Sequence, residues 1–255
     1  MTNFPETFPL INIDETDSTN HYLDQLCRNE SARPAEYTTV TAQFQTAGKG
    51  QRGNSWESED GKNLLFSYVL YPTFVEARHQ FVLSQIASLA VKEELDQWAD
   101  GVSIKWPNDV YRDDRKICGM LLENDLCGAY IGRHISGIGV NINQDTFRSN
   151  APNPVSLKQI TGREHDRSAI LEGILQRVRD FYEQLRLDAD GSFQAALAER
   201  YAAALYRREG FHPYRDADGD FRARLVGVEP DGRFVLEDET GRVRKYLFKE
   251  VQYIL

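Results

Sequence analysis

From Phe211 onward the sequence changes texture, and that change constrains the fold more than any other feature. Short alternating runs such as FRARLVGV and RFVLED are separated by the turn clusters DADGD, EPDG and DETG. Strands so short and closely punctuated pair antiparallel with one another, which predicts a small β-barrel of about 45 residues. Upstream the apolar period switches between two and 3.6. Residues 38–45 place Val40, Ala42 and Phe44 on one face and Thr39, Thr41 and Gln43 on the other, and NLLFSYVLY follows as a second strand. Val82, Ile86, Leu89 and Ala90 have helical spacing within residues 81–98. VSIKW reads as a strand stopped by Pro107, and ICGMLLEND and AYIGRHISGIGVNI read as a hairpin around residues 126–128. Asp166 is a suitable N-cap for a helix carrying Ile170, Ile174, Val178, Phe181 and Leu185, and another helix follows Gly191. The expectation is an α/β domain over residues 1–207 that carries the chemistry, and an accessory β domain over 208–255.

Bulk properties exclude several classes. A net charge of −9 argues against broad nucleic-acid binding, which needs cations to displace phosphate counterions. No apolar run of about 18 residues appears and the N-terminus lacks a basic-then-apolar pattern, so membrane spans and a cleaved leader are disfavoured. The three cysteines (Cys27, Cys118, Cys127) form no C-x-x-C, and the five histidines show no ligand spacing. Neither a zinc enzyme nor a Ser/His/Asp hydrolase is supported.

Four stretches carry candidate chemistry. Residues 48–53, GKGQRG, bring a backbone that can approach an anion closely, with Lys49 and Arg52 adding charge. They match neither a Walker loop nor a Rossmann fingerprint, and read alone they fit a flexible surface turn better than an anion site. In KWPND, Pro107 turns the chain and leaves Asn108 and Asp109 able to accept hydrogen bonds or help hold a cation; Lys116 then opens an apolar strand, where it can reach into a cleft or simply face solvent. GIGVNIN sets Gly137 and Gly139 in a strand, the mark of a close approach or a bulge. Asp17-Ser18-Thr19-Asn20 precedes HYLDQL as a helix N-cap whose hydroxyls are also available to a ligand.

Taken together and in order, DSTN, FQTAGKGQRGNSW, KWPND…RKICGMLLE and GIGVNIN resemble the biotin–protein ligase family, and the β-rich tail resembles that family's C-terminal SH3-like domain. The resemblance implies a mixed-sheet catalytic fold related to class II aminoacyl-tRNA synthetases. It implies biotin as substrate, ATP with Mg²⁺, a biotinyl-5′-AMP intermediate, and transfer to a lysine of a biotin carboxyl carrier protein or domain. Ser18, Thr19, Asn20, Gln45, Lys49, Gly50, Gln51, Lys116 and Gly119 match biotin-binding positions. Gly48, Lys49, Gly50, Gln51, Arg52, Gly53, Trp56, Asn108 and Asn141 match adenylate-binding positions, with Lys116 and Arg52 as the catalytic pair and Asp109 as the candidate Mg²⁺ ligand. Trp56 and Trp106 are expected to pack near the ligand. The family's glycine-rich loop is commonly richer in arginine; Gln51 here loses a charge and Lys49 loses the planar fork. Seventeen residues precede Ser18, too few for a winged-helix domain, so the expectation is a cytoplasmic ligase without DNA or membrane contacts, compatible with a homodimer. The rival readings are a lipoate or octanoate ligase, and a non-catalytic biotin-binding regulator.

Overall fold

The computed structural model describes residues 8–50, 55–149 and 153–254. Seven strands form one mixed sheet: β1 (Leu10–Thr16), β2 (Thr39–Gln45), β3 (Leu64–Leu70), β4 (Val102–Lys105), β5 (Asp109–Arg112), β6 (Arg115–Cys127) and β7 (Tyr130–Val140). Their order across the sheet is β1-β2-β3-β7-β6-β5-β4. Only β1 and β2 run parallel; every other neighbouring pair is antiparallel. The alternation at residues 38–45 and the hairpin turning at Gly128, whose φ is +61°, appear as the sequence predicts.

β3 is apolar on both faces because both are covered, and all seven of its residues are buried. On one side lies α1 (Thr19–Arg28), whose Leu23 packs with Val40, Val69 and Ile135. On the other lie α2 (Phe81–Leu95), α4 (Arg167–Leu187) and α5 (Ser192–Ala203), α2 touching both of its helical neighbours. α3 (Leu157–Thr161) is a single capped turn, with Ser156 Oγ accepting from Gln159 N. Asp166 caps α4 by accepting from Ser168 N at 2.8 Å. Ser18 occupies the N-cap position of α1, but its side chain makes no capping bond; Asp17 instead accepts from Ser18 N at 2.7 Å. The Ser18 hydroxyl is thereby left out of helix capping.

The tail forms the expected antiparallel sheet from β8 (His212–Asp216), β9 (Gly219–Val228), β10 (Phe234–Asp238), β11 (Val243–Tyr246) and β12 (Gln252–Tyr253), in the order β11-β10-β9-β8-β12. It is fastened to the large sheet at the end of β4. Trp106 Nε1 donates to Gly232 O at 2.9 Å, and the indole stacks on Phe234 with centroids 5.0 Å apart. Gly232 has φ +90°, and a Cβ there would fall 2.7 Å from the Phe81 ring, so glycine is required on both counts.

His134 on β7 is 1% exposed. Its Nδ1 lies 2.6 Å from Asn124 Oδ1 and its Nε2 2.7 Å from Ser136 Oγ, neutral partners that satisfy a neutral imidazole. Burial pushes its pKa down to about 3. Between that value and an unfolded pKa of about 6.5 the unfolded chain binds the extra proton, so stability rises with pH. Urea unfolding across this window is expected to show a His134 contribution with a slope of up to about 1.4 kcal/mol per pH unit, removed in His134→Asn. Parallel pH profiles for the two proteins would show that His134 carries none of the acid lability.

Candidate functional site

One cavity of about 690 Å³ opens where β6 and β7 pass between the N-terminus of α1, the end of β4 and the small sheet. Its floor follows from strand register. Gly119 on β6 stands directly opposite Gly139 on β7, and Leu121 opposite Gly137, so bare backbone faces the cavity. The Trp56 indole lies on that backbone. A Cβ on Gly139 would sit 2.5 Å from Trp56 Cε2, and one on Gly119 would sit 2.8 Å from Cζ3. The glycines thus mark a close approach, and the approaching group is a side chain of this chain. Trp56 Nε1 is buried against Gly139 without a partner among the described residues.

One end of the cavity is a neutral hydrogen-bonding cluster. Gln45 Oε1 accepts from Thr19 N at 2.7 Å and from Thr19 Oγ1 at 3.1 Å. Ser67 Oγ lies 2.7 Å from Thr19 Oγ1 and 2.6 Å from Asn20 Oδ1. Asn20 Nδ2 donates to Leu121 O at 3.2 Å and to Glu123 Oε2 at 2.8 Å. The Asn20 amide is therefore occupied by protein at both ends, and it works as a strut that holds Ser67 and Thr19 in place. Gln45 uses only its carbonyl in these bonds, and Ser18 borders the same space.

The other end is charged. Lys116 Nζ lies 2.8 Å from Asp109 Oδ2, and the ammonium stands 5.8 Å from the Trp56 ring centroid. The Lys116 backbone is fixed on both sides, its N–H donating to Asn153 O at 2.8 Å and its carbonyl accepting from Val155 N at 2.9 Å. Burial lowers the nearby Lys105 ammonium to about 8. Burial also raises the Cys118 thiol well above its ordinary range, which makes it a packing group and not a nucleophile. Phe248, Lys249 and Tyr253 close the cavity from the small sheet's side.

Residues 13–142 match the model of the Biotin/lipoate A/B protein ligase family. The chain belongs to that family. It is 30% identical over 239 residues to the biotin–[acetyl-CoA-carboxylase] ligase of Paracoccus denitrificans, covering 89% of this chain and 93% of the relative. It is 29% identical over 250 residues to the bifunctional ligase/repressor BirA of Bacillus spizizenii, covering 93% and 72% respectively. Among solved structures it resembles the Aquifex aeolicus biotin protein ligase in complex with biotin and ATP, with a TM-score of 0.77, 27% identity and coverage of 97% of this chain and all (100%) of that one.

Of the positions singled out by family resemblance, Ser18, Thr19, Asn20, Gln45, Lys49, Gly50, Trp56, Asn108, Asp109, Lys116 and Gly119 all border the one cavity. Gln51, Arg52 and Gly53 lie outside the described residues. Gly48 and Asn141 stand back from the cavity. Gly48 forms the foot of the glycine-rich loop, its carbonyl accepting from Trp56 N at 2.9 Å, next to the Lys49–Ser55 bridge. Asn141 is buried, with Nδ2 donating to Val155 O at 3.2 Å and Oδ1 unpartnered among the described residues. Ser67 and Glu123 were not singled out. Ser67 had a signal, a lone hydroxyl in the apolar run LLFSYVL. Glu123 had none, because its partner is 103 positions away.

The strut explains why Gly137 must be glycine. A Cβ there would lie 1.9 Å from Asn20 Oδ1, an atom already pinned by Ser67. Gly137→Ala is expected to lower unfolding free energy by roughly 1–3 kcal/mol, and by much less in an Asn20→Ala background. A double-mutant cycle in urea reads this coupling. Equal costs in the two backgrounds would mean that the clash is not with Asn20.

Proposed function

We propose that this protein is an ATP-dependent biotin–protein ligase that makes biotinyl-5′-AMP and passes biotin to a lysine of a biotin carboxyl carrier protein. The observation that carries the reading is the polarity of the cavity that these residues share. Ser18, Thr19 and Gln45, backed by the buried Ser67, line one end, the Lys116–Asp109 pair the other, and a glycine floor under Trp56 lies between them. A ureido ring offers one carbonyl and two N–H groups, which suits hydroxyls and an amide. An alkyl carboxylate chain extending from it suits the flat apolar middle and ends beside a lysine. The relatives named as biotin ligases support the same substrate.

In this reading the biotin carboxylate oxygen attacks the α-phosphorus of ATP, and the bond to the β-phosphate bridging oxygen breaks. Lys116 stabilises the charge on the carboxylate and α-phosphoryl oxygens, and Asp109 holds Lys116 on target. Trp56 excludes water from the reacting carbon. Lys49 and the Gly50 amide add positive potential at the cavity, and Arg52 is the further cation that the family resemblance assigns to the adenylate. The acceptor amine then attacks the acyl carbon, loses a proton and expels AMP. Among the described residues no cluster of three or more His, Cys, Asp or Glu side chains can hold a metal. Asp109, the one carboxylate among the described residues bordering the cavity, would be the protein's contact to a Mg²⁺ ion. When bound, the ion neutralises phosphate charge.

A lipoate or octanoate ligase is the rival within the family. It needs an extended apolar channel, whereas Ser18 and the Gln45 amide nitrogen at this end would set polar groups against an alkyl chain. Pyrophosphate exchange into ATP is expected with biotin and absent with lipoate or octanoate; exchange with lipoate alone would sink the substrate assignment. Lys116→Ala is expected to lower biotin-dependent exchange about 100-fold or more, with a thermal midpoint within a few degrees of the parent. A parallel fall in activity and midpoint would make Lys116 structural.

A further inference from the structure

Lys105 ends β4 at the wall of the cavity, directly across the β4–β5 ladder from Asp109. Its Nζ donates to Tyr111 Oη at 3.0 Å and lies 4.7 Å from the Tyr111 ring centroid and 4.8 Å from that of Tyr253, which comes from the small sheet. Two aromatic faces thus hold the ammonium in one place while leaving it N–H groups to give. Asp109, its cross-strand neighbour, is ion-paired to Lys116.

The charges around this corner do not balance. Among the described residues bordering the cavity, Lys49, Lys105, Lys116 and Lys249 face a single carboxylate, Asp109. In a chain of net charge −9 such a local cationic excess is an attractor for a polyanion. The groups facing Lys105 are Asp109 and Tyr111 on β5, Lys116 on β6, Arg207 after α5, and Tyr253 on β12. Burial is the main cause of its ammonium falling to about 8; Lys116 and Arg207 push the same way and Asp109 opposes them.

We propose that Lys105 anchors the leaving group of the first half-reaction, binding the β- and γ-phosphoryl oxygens of ATP and then inorganic pyrophosphate. The assignment rests on the adenylating function above. As the α–β bridge breaks, its electron pair stays on the bridging oxygen, and the Lys105 ammonium stabilises that oxygen's new charge without giving up a proton. Tyr111 and Tyr253 position the ammonium, so the small sheet contributes to the same subsite.

Calorimetric titration of inorganic pyrophosphate into the full chain tests this directly, in buffers of differing ionisation enthalpy. Lys105→Met and Lys105→Gln are expected to weaken pyrophosphate about 10-fold or more, and Lys105→Arg to stay within a few-fold of the parent. Near pH 8.5 the parent is expected to take up a larger fraction of a proton on binding than either neutral variant, because the anion raises the ammonium's pKa. Thermal midpoints identify which variants remain folded. Parent-like pyrophosphate affinity in either folded neutral variant overturns the assignment, as does a parent chain that binds no pyrophosphate. Biotin-dependent exchange by the parent is measured separately. Its absence counts against the ligase reading, whereas intact exchange with unchanged pyrophosphate affinity in Lys105→Met counts against Lys105 alone.

Discussion

The pairing of Gly119 with Gly139 across β6 and β7 is the constraint on which the site depends. Two residues without side chains, facing each other at the centre of a sheet, leave a patch of bare backbone that would otherwise be filled. Trp56 takes up part of that space and roofs the rest. Because β6 and β7 are also the longest strands and lie inside the sheet, the patch is held by ladder bonds on both sides and cannot relax to close. The remaining elements are arranged around it. β2 and the N-terminus of α1 supply the neutral cluster, and the β4–β5 turn supplies the carboxylate that orients Lys116.

Much of this was legible in the sequence, for identifiable reasons. Strands buried on one face, such as β2, show their period, and α4 shows both its cap and its apolar stripe. β1 escaped because it is an exposed edge strand whose alternation, Ile11 and Ile13 against Asn12 and Asp14, runs for too few residues to stand out. β5 escaped because four residues between a proline and a turn are too few to display a period. The glycines of GIGVNIN signalled a close approach, but the partner, Trp56, is remote in sequence and only the fold identifies it.

The site residues divide in the same way. Thr19, Gln45 and Lys116 stood in stretches with recognisable local chemistry, and the cavity brings them together. Asn20, expected to contact ligand, spends its amide on Ser67, Leu121 and Glu123, partners drawn from two strands that a linear reading does not connect. Asn141 lies behind the cavity wall, which its place at the end of a glycine-bearing strand did not indicate. Hydrogen-bond accounting separates the side chains that touch the cavity with capacity to spare from those that hold them there.

Trp106 belongs at once to the seam between the two sheets and to the cavity wall. A single indole so placed acts as a common partition. Any substitution in Phe234 or around Gly232 that moves the ring also resizes the cavity, even though neither residue borders it. The two sheets are therefore not free to drift apart in sequence at this seam. Selection on the chemistry must reach into the tail, and the residues that record it there will look, taken by themselves, like ordinary β-sheet core.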